Sequence, residues 1–314
     1  MKVIFVASGN KTVGKVSSFV QSQYDSLVEE GLDMILFPVV GHGIKAHLRA
    51  VIELRRIIRQ EQPDVVHAHY SICGHVAALA MMCIRSKPKL LVSILGSFPT
   101  HSKKWRLVRF CIRHIWDKTI VKSQRTARQL GEDVSIIPNG VNLDMFCPQD
   151  HLDARARVGF DADKRYVIWC SHPDRIEKNY ALAQAAVELV KKEQDNVELL
   201  TIYNKTPQDV VQYMNAADCL LLTSVQEGSP NVIKEAMACN CPIVSTDVGD
   251  VRERLIGLDG CYILSEKDMQ SPDALANLIG KAICYGKRTE GYNRIINDEL
   301  TTQQIAKRIM ACYE

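Results

Sequence analysis

The sequence predicts an α/β protein built from two doubly wound parallel sheets, one in each half of the chain. Three observations carry that expectation. Short apolar runs alternate with amphipathic stretches along the whole chain, the pattern of repeated βα units. At 314 residues the chain is long enough for two domains of about 150 residues, each with its own core. The tract 138–148, PNGVNLDMFCP, is rich in Pro, Asn and Gly near the middle, where a hinge between domains is expected.

In the first half, strands are expected at 3–7, 34–39, 65–69, 89–95, 119–121 and 134–137, with helices between them. In the second half they recur at 166–170, 197–202, 219–223, 242–245 and 261–264. The first domain is drawn at 1–147 and the second at 148–298. Residues 300–313 read as a final amphipathic helix. In doubly wound sheets ligands gather at the carboxyl ends of the strands, so the loops following the strands are where function is sought.

Composition excludes several classes. The start, MKVIFVASGN, is too short an apolar run for a signal peptide, and no stretch offers 18 apolar residues, so a cytoplasmic protein is expected. Eleven cysteines without a C-x-x-C pair fit reduced packing residues better than a disulfide framework or a zinc site. Residues 1–147 carry 20 Lys and Arg against 11 Asp and Glu, and the remainder 19 against 25. A basic first half suggests an anionic surface or substrate, but no aromatic-basic nucleic-acid module is visible.

The most informative run is 227–254, EGSPNVIKEAMACNCPIVSTDVGDVRER. Ser229 reads as an N-cap and Pro230 as the first helical residue, and Asn240 before Pro242 ends a short helix over about 230–239. The opening N–H groups of such a helix lack intrahelical partners and sit at its positive end. The loop Gly228, Ser229, Pro230, Asn231 and Val232 can therefore hold a phosphate. Glu227 in that loop and Glu235 on the second turn can only accept hydrogen bonds when ionised, and so suit hydroxyls. Sugar hydroxyls with phosphate describe a nucleotide sugar.

Here the chain resembles the family 4 retaining glycosyltransferases, which have the GT-B fold. The stretches 17–31, 63–74, 137–148, 174–186 and 213–224 have counterparts in that family, in this order, and 223–252 is the most specific. The likeness leans toward bacterial enzymes of capsule, teichuronic-acid or O-antigen assembly. It implies two Rossmann-like domains facing a cleft, with residues 299–314 crossing back to the first. It implies a nucleotide diphosphate sugar as donor, a glycan, expected to be lipid-linked, as acceptor, and no metal or other cofactor. Glu235 would then hold the ribose, Glu227 the donor sugar, and residues 229–232 the diphosphate.

Residues 171–179, SHPDRIEKN, follow the first strand of the second domain, where Arg175 and Lys178 could neutralise a diphosphate leaving group, the fork of Arg and the point charge of Lys acting without metal. The resemblance places both cations there. Asp161-Ala162-Asp163 spells the D-x-D by which other glycosyltransferases hold a divalent ion, but it precedes a strand and reads as a turn.

Residues 9–15, GNKTVGK, nearly spell a P-loop, but Val16 stands where magnesium ligation needs Ser or Thr. The resemblance instead makes this loop, with Gly14, a contact to acceptor and donor phosphates. His67 and His69 are expected on opposite faces of their strand, with His69 taken as the residue facing the ligand. Leu95 and Phe98 stand where many relatives have His and Asp.

Residues 103–116, KKWRLVRFCIRHIW, are basic and aromatic. They suit either an anionic membrane surface or a sheet-covering helix with Trp in the core. A non-catalytic nucleotide-sugar sensor and a P-loop NTPase are the rival readings of the whole.

Overall fold

The computed structural model describes residues 1–10, 14–82, 84–96 and 103–314, apart from the Lys103 side chain. It divides into two compact units, Met1–Gly140 together with Thr302–Glu314, and Val141–Thr301.

The first unit runs β1 (Lys2–Ser8), α1 (Ser18–Glu29), β2 (Asp33–Val39), α2 (Gly43–Glu61), β3 (Val65–His69), α3 (Ser71–Met81), β4 (Lys89–Ile94), α4 (Lys103–His114), β5 (Lys118–Val121), α5 (Gln124–Leu130) and β6 (Ser135–Ile136). Its strands are parallel, in the order β2-β1-β3-β4-β5-β6. Alternate residues on each strand face opposite ways. Ile4, Val6, Val66, Ala68, Val92 and Val121 pack under α2, α3 and α4 through Leu54, Ile58, Val76, Ala77, Trp105 and Val108.

The second unit runs α6 (His151–Val158), β7 (Arg165–Trp169), α7 (Tyr180–Glu193), β8 (Val197–Thr201), α8 (Pro207–Ala216), β9 (Cys219–Leu222), α9 (Asn231–Ala238), β10 (Ile243–Thr246), α10 (Val251–Leu255), β11 (Cys261–Leu264), α11 (Pro272–Tyr285) and α12 (Gly291–Asn297). Its five parallel strands lie in the order β11-β10-β9-β7-β8. Val167, Leu221 and Val244 on one face are buried against Ala183, Val187, Leu275 and Ile279 of α7 and α11.

All eleven strands expected from the apolar runs are present, shifted by a residue or two. The last helix, α13 (Thr302–Met310), packs on α1 in the first unit. Residues 141–147, drawn with the first domain from sequence, fall in the second unit, where Val141 N–H donates to Leu300 O (2.9 Å) and Asn215 Nδ2 to Cys147 O (3.1 Å).

One expectation is corrected. His67 and His69 share a face, because residues two apart on a strand point the same way; their ring centroids are 4.5 Å apart. Of the two readings of 103–116, the sheet-covering helix with Trp in the core is the one seen, Trp105 of α4 and Trp116 just after it both being buried.

Candidate active site at the carboxyl ends of β7 and β9

The loops leaving β7 and β9 are stitched together. Thr223, just past β9, accepts from Trp169 Nε1 (3.0 Å) and donates to Lys178 O (2.8 Å), and Val225 N–H donates to Glu177 O (2.9 Å). This fixes the short 3₁₀ turn Ile176–Lys178 against the β9 loop. The Lys178 ammonium consequently forms an ion pair with the Glu227 carboxylate, at the same oxygen to which Ser224 Oγ donates (2.9 Å). Thr246, at the end of β10, donates to Ser224 O (2.7 Å), which binds the third strand end to the same point.

α9 begins one residue later than expected. Pro230 is its N-cap and offers no side-chain cap, and Ser229 is not the cap because its hydroxyl donates to Asp250 Oδ2 (2.8 Å). The Pro230 N-cap therefore gives the first turn of α9 no side-chain cap. Asn240 does adopt the left-handed conformation, φ 53°, just past the helix. Arg288 donates to the carbonyls of Met214, Ala217 and Cys239 and so ties the ends of α8 and α9 together.

The loop before α9 is held from behind. Gly249 has φ +59°, and a Cβ there would stand 2.6 Å from Gly228 O, so only glycine lets the β10 loop lie against Glu227 and Gly228. Lys234, 1% exposed, extends under the loop to donate to Ser229 Oγ (2.7 Å) and Pro230 O (3.4 Å). Burial lowers its pKa, with the Asp250 charge opposing. Asp250 also accepts from Arg254 Nε (3.1 Å).

Glu235 lies beside Cys170 at the end of β7, and its charge helps to raise that thiol's pKa, although burial of the thiol is the larger cause. Burial likewise pushes the Glu235 carboxyl up to about 7, with Lys234 pulling the other way. Glu227, Lys178, Glu235 and the uncapped start of α9 thus share one strand-end region. Such a place can take a ligand with hydroxyls at the carboxylates and an anion at the helix start.

Arg175 is not in that cluster. It is exposed, and its guanidinium donates to Glu177 Oε1 (2.6 and 2.8 Å). Asp161 and Asp163 form an Asx turn ahead of β7, with Asp163 N–H donating to Asp161 Oδ1 (3.1 Å).

His69 and Gly14 belong to the first unit. His69 is fully buried, ringed by Phe5 and His67, and neither of its ring nitrogens has a hydrogen-bond partner. Burial holds it neutral, well below the usual histidine range, with His67 and Lys122 adding to the effect. Gly14 has φ +79° and donates to Gly9 O (3.0 Å), closing a tight loop. α1 then opens only at Ser18, whereas a P-loop lysine starts its helix directly, so the near-match to that motif is not one in structure. Lys11, Thr12 and Val13 of that loop, and Phe98, lie outside the described residues.

Sequence reasoning missed Ser224, Lys234 and Asp250. A lysine on the second turn of a short helix reads as solvated, and nothing local marks Lys234 as buried.

The fold defined by these two parallel-sheet units is the GT-B fold. A description reading Glycosyltransferase Family 4 matches residues 15–145, and one reading Glycosyl transferases group 1 matches residues 152–284. The chain belongs to glycosyltransferase family 4. It is 26% identical over 251 residues to a teichuronic acid biosynthesis glycosyltransferase, TuaC, of Bacillus subtilis, a match covering 72% of this chain and 64% of that protein, just under two thirds of its length.

Among solved structures, a sucrose-phosphate synthase of Thermosynechococcus elongatus is similar over 100% of this chain and 98% of its own, with TM-score 0.78 and 19% identity. Anabaena HepE, solved in complex with UDP and glucose, is similar over 99% of each chain, with TM-score 0.73 and 15% identity.

Proposed function

We propose that the protein transfers a sugar from a nucleotide diphosphate sugar to a glycan acceptor, with retention of configuration and without a metal ion. The observation that carries this is the grouping of Glu227, Lys178 and Glu235 around the uncapped start of α9. In this reading Glu235 accepts the ribose hydroxyls, and the N–H groups of Asn231 and Val232 receive the diphosphate. Glu227 accepts a donor-sugar hydroxyl.

Lys178 supplies the positive charge that the departing diphosphate needs, a fixed cation worth most where charge develops. Arg175 would join it by leaving Glu177, an exchange that its exposed position permits. Gly14 keeps the phosphate contact that the resemblance implies, and His69, buried between Phe5 and His67, acts from within the core as a neutral ring.

The likeness to TuaC, named for teichuronic acid biosynthesis, supports a polysaccharide as product; a cell-surface polysaccharide built on a lipid-linked acceptor at the cytoplasmic face is part of the same proposal. The basic outer side of 103–116 supports contact with an anionic membrane. No helix among the described residues is long and apolar enough to cross a membrane.

The test is a thermal-shift and turnover panel with UDP-, GDP- and dTDP-sugars, in EDTA and then in manganese. A donor at 100 times its Kd should stabilise the protein by about 2.7 kcal/mol. Stabilisation by one nucleotide sugar that EDTA does not remove is the expected result. Stabilisation by none, or activity strictly dependent on manganese, would overturn the reading.

A further inference from the structure

Nine of the eighteen large apolar side chains exposed among the described residues lie on one layer of the first unit: Ile44, Leu48 and Ile52 on α2, Ile72, Leu79 and Met82 at α3, and Leu107, Phe110 and Ile115 at α4. These helices cover the same face of the sheet, so their outer sides form one surface. Arg55 of α2 fastens it by donating to Leu79 O (2.7 Å) and Ala80 O (3.0 Å) of α3.

α2 carries the strongest signal. Its inner side is committed to the core through Ala50, Val51, Leu54 and Ile58. Its outer side sets Ile44 (79% exposed), Leu48 (52%) and Ile52 (70%) at four-residue spacing among exposed Lys45, Arg49, Arg56 and Arg59, against one exposed acid, Glu53. Continuous exposure of apolar groups to water is costly, and cations interleaved with them neither shield that surface nor suit a protein core. Apolar side chains and cations on one exposed helix side match the interface of a bilayer, where acyl chains take the first and anionic headgroups the second.

We propose that the outer side of the α2–α3–α4 layer docks on an anionic lipid bilayer, with the α2 ridge Ile44, Leu48 and Ile52 as its principal contact. This rests on the proposed function, in which the acceptor is lipid-linked, and names the surface that meets the lipid. A second copy of the chain fits less well. A two-fold pairing of antiparallel α2 helices would set Lys45, Arg49 and Arg56 against the same cations of the other copy. A polyanion without an apolar phase would leave the ridge in water.

The experiment is co-sedimentation of the full chain with vesicles of phosphatidylglycerol and phosphatidylcholine, and of phosphatidylcholine alone, at low and high salt. Wild type should bind the anionic vesicles and be released at least tenfold by salt. Ile44→Ser with Leu48→Ser and Ile52→Ser should weaken binding at least tenfold, and Lys45→Gln with Arg49→Gln and Arg56→Gln should do the same while flattening the salt dependence. Substituting the exposed second-unit cations Lys267, Lys281 and Lys287 by Gln should leave binding unchanged.

Each variant is checked for fold by circular dichroism and for UDP-sugar thermal shift, which the surface changes should not move. Failure of the wild type to sediment at low salt overturns the proposal, as does binding that survives both triple variants. So does a wild-type dimer in light scattering that the serine variant turns to monomer without change in vesicle binding. Vesicle binding without any nucleotide-sugar binding would support the surface and overturn the proposed function separately.

Discussion

Lys178 and Glu227 sit 15% and 18% exposed, so their ion pair is largely desolvated, and the loss of water offsets most of the attraction between them. Its importance is placement of a cation. Lys178→Ala is expected to lower kcat about 100- to 1,000-fold and, by taking the cation from the largely buried Glu227 carboxylate, to lower the melting temperature as well, read by steady-state kinetics and calorimetry.

Glu235 makes a different prediction because its carboxyl is raised to about 7 by burial. The ribose role needs the charged acceptor, so nucleotide affinity should improve between pH 6 and 8, and Glu235→Gln should bind weakly without that slope in titration calorimetry. The linked stability runs the other way. The unfolded carboxyl ionises near 4.3, so between there and 7 the folded state holds the extra proton and stability falls as pH rises. Glu235→Gln should remove that fall in denaturation midpoints.

Glu227 and Glu235 could be placed from sequence because spacing along one loop and one helix turn fixes where they lie, whereas Lys178, on the β7 loop, was placed by the family resemblance. Lys234 and Asp250 were not, since their roles depend on burial and on a partner 21 residues from Ser229.

At the scale of elements, the loop–helix unit around α9 shows what local reasoning reaches. The short helix and its left-handed exit at Asn240 follow from residue types. The start does not, because Asp250 on the β10 loop draws the Ser229 hydroxyl away from capping.

That loop gives a clean test of packing against backbone strain. Gly249→Ala puts a Cβ 2.6 Å from Gly228 O at φ +59°, while Gly257→Ala meets nothing within 4 Å at φ +74°. Both should suffer the left-handed strain, on the order of 1–2 kcal/mol. Only Gly249→Ala should also weaken nucleotide binding, by shifting Glu227 and Gly228. Equal effects on binding would show that the β10 loop does not position the site. The Asp161 turn was equally legible from its place ahead of a strand.

For the whole molecule, the alternation of apolar runs made both sheets legible, since burial of strands on two faces leaves that pattern regardless of detail. What covers each face was not legible, and His67 and His69 show the consequence. His67 is clamped between Tyr313 Oη and Ser93 Oγ, both at 2.8 Å, and burial lowers its pKa to about 3; burial also holds His69 beside it well below the usual histidine range. Sequence offers no sign that Tyr313, 246 residues away, closes over His67.

Two histidines held neutral make the protein acid-sensitive. Below about pH 6.5 the unfolded chain takes up protons that the folded one refuses, so stability rises with pH through this window. For His67 the loss toward pH 3 is about 1.4 kcal/mol per pH unit. Urea titrations at pH 4.5 and 7 should show it, and His69→Phe should reduce the slope if it folds.

The Tyr313 contact also orders events during synthesis. Residues 302–314 complete the first unit but are translated after all of the second, whose two ends meet where Val141 N–H donates to Leu300 O. On the ribosome the second unit has every residue it needs first, while the nascent first unit must wait with the pocket over His67 uncovered, a natural station for chaperones. A chain stopped after Thr301 should then hold a protease-resistant second unit beside a first unit that is cut readily, and adding residues 302–314 as a separate peptide should restore protection.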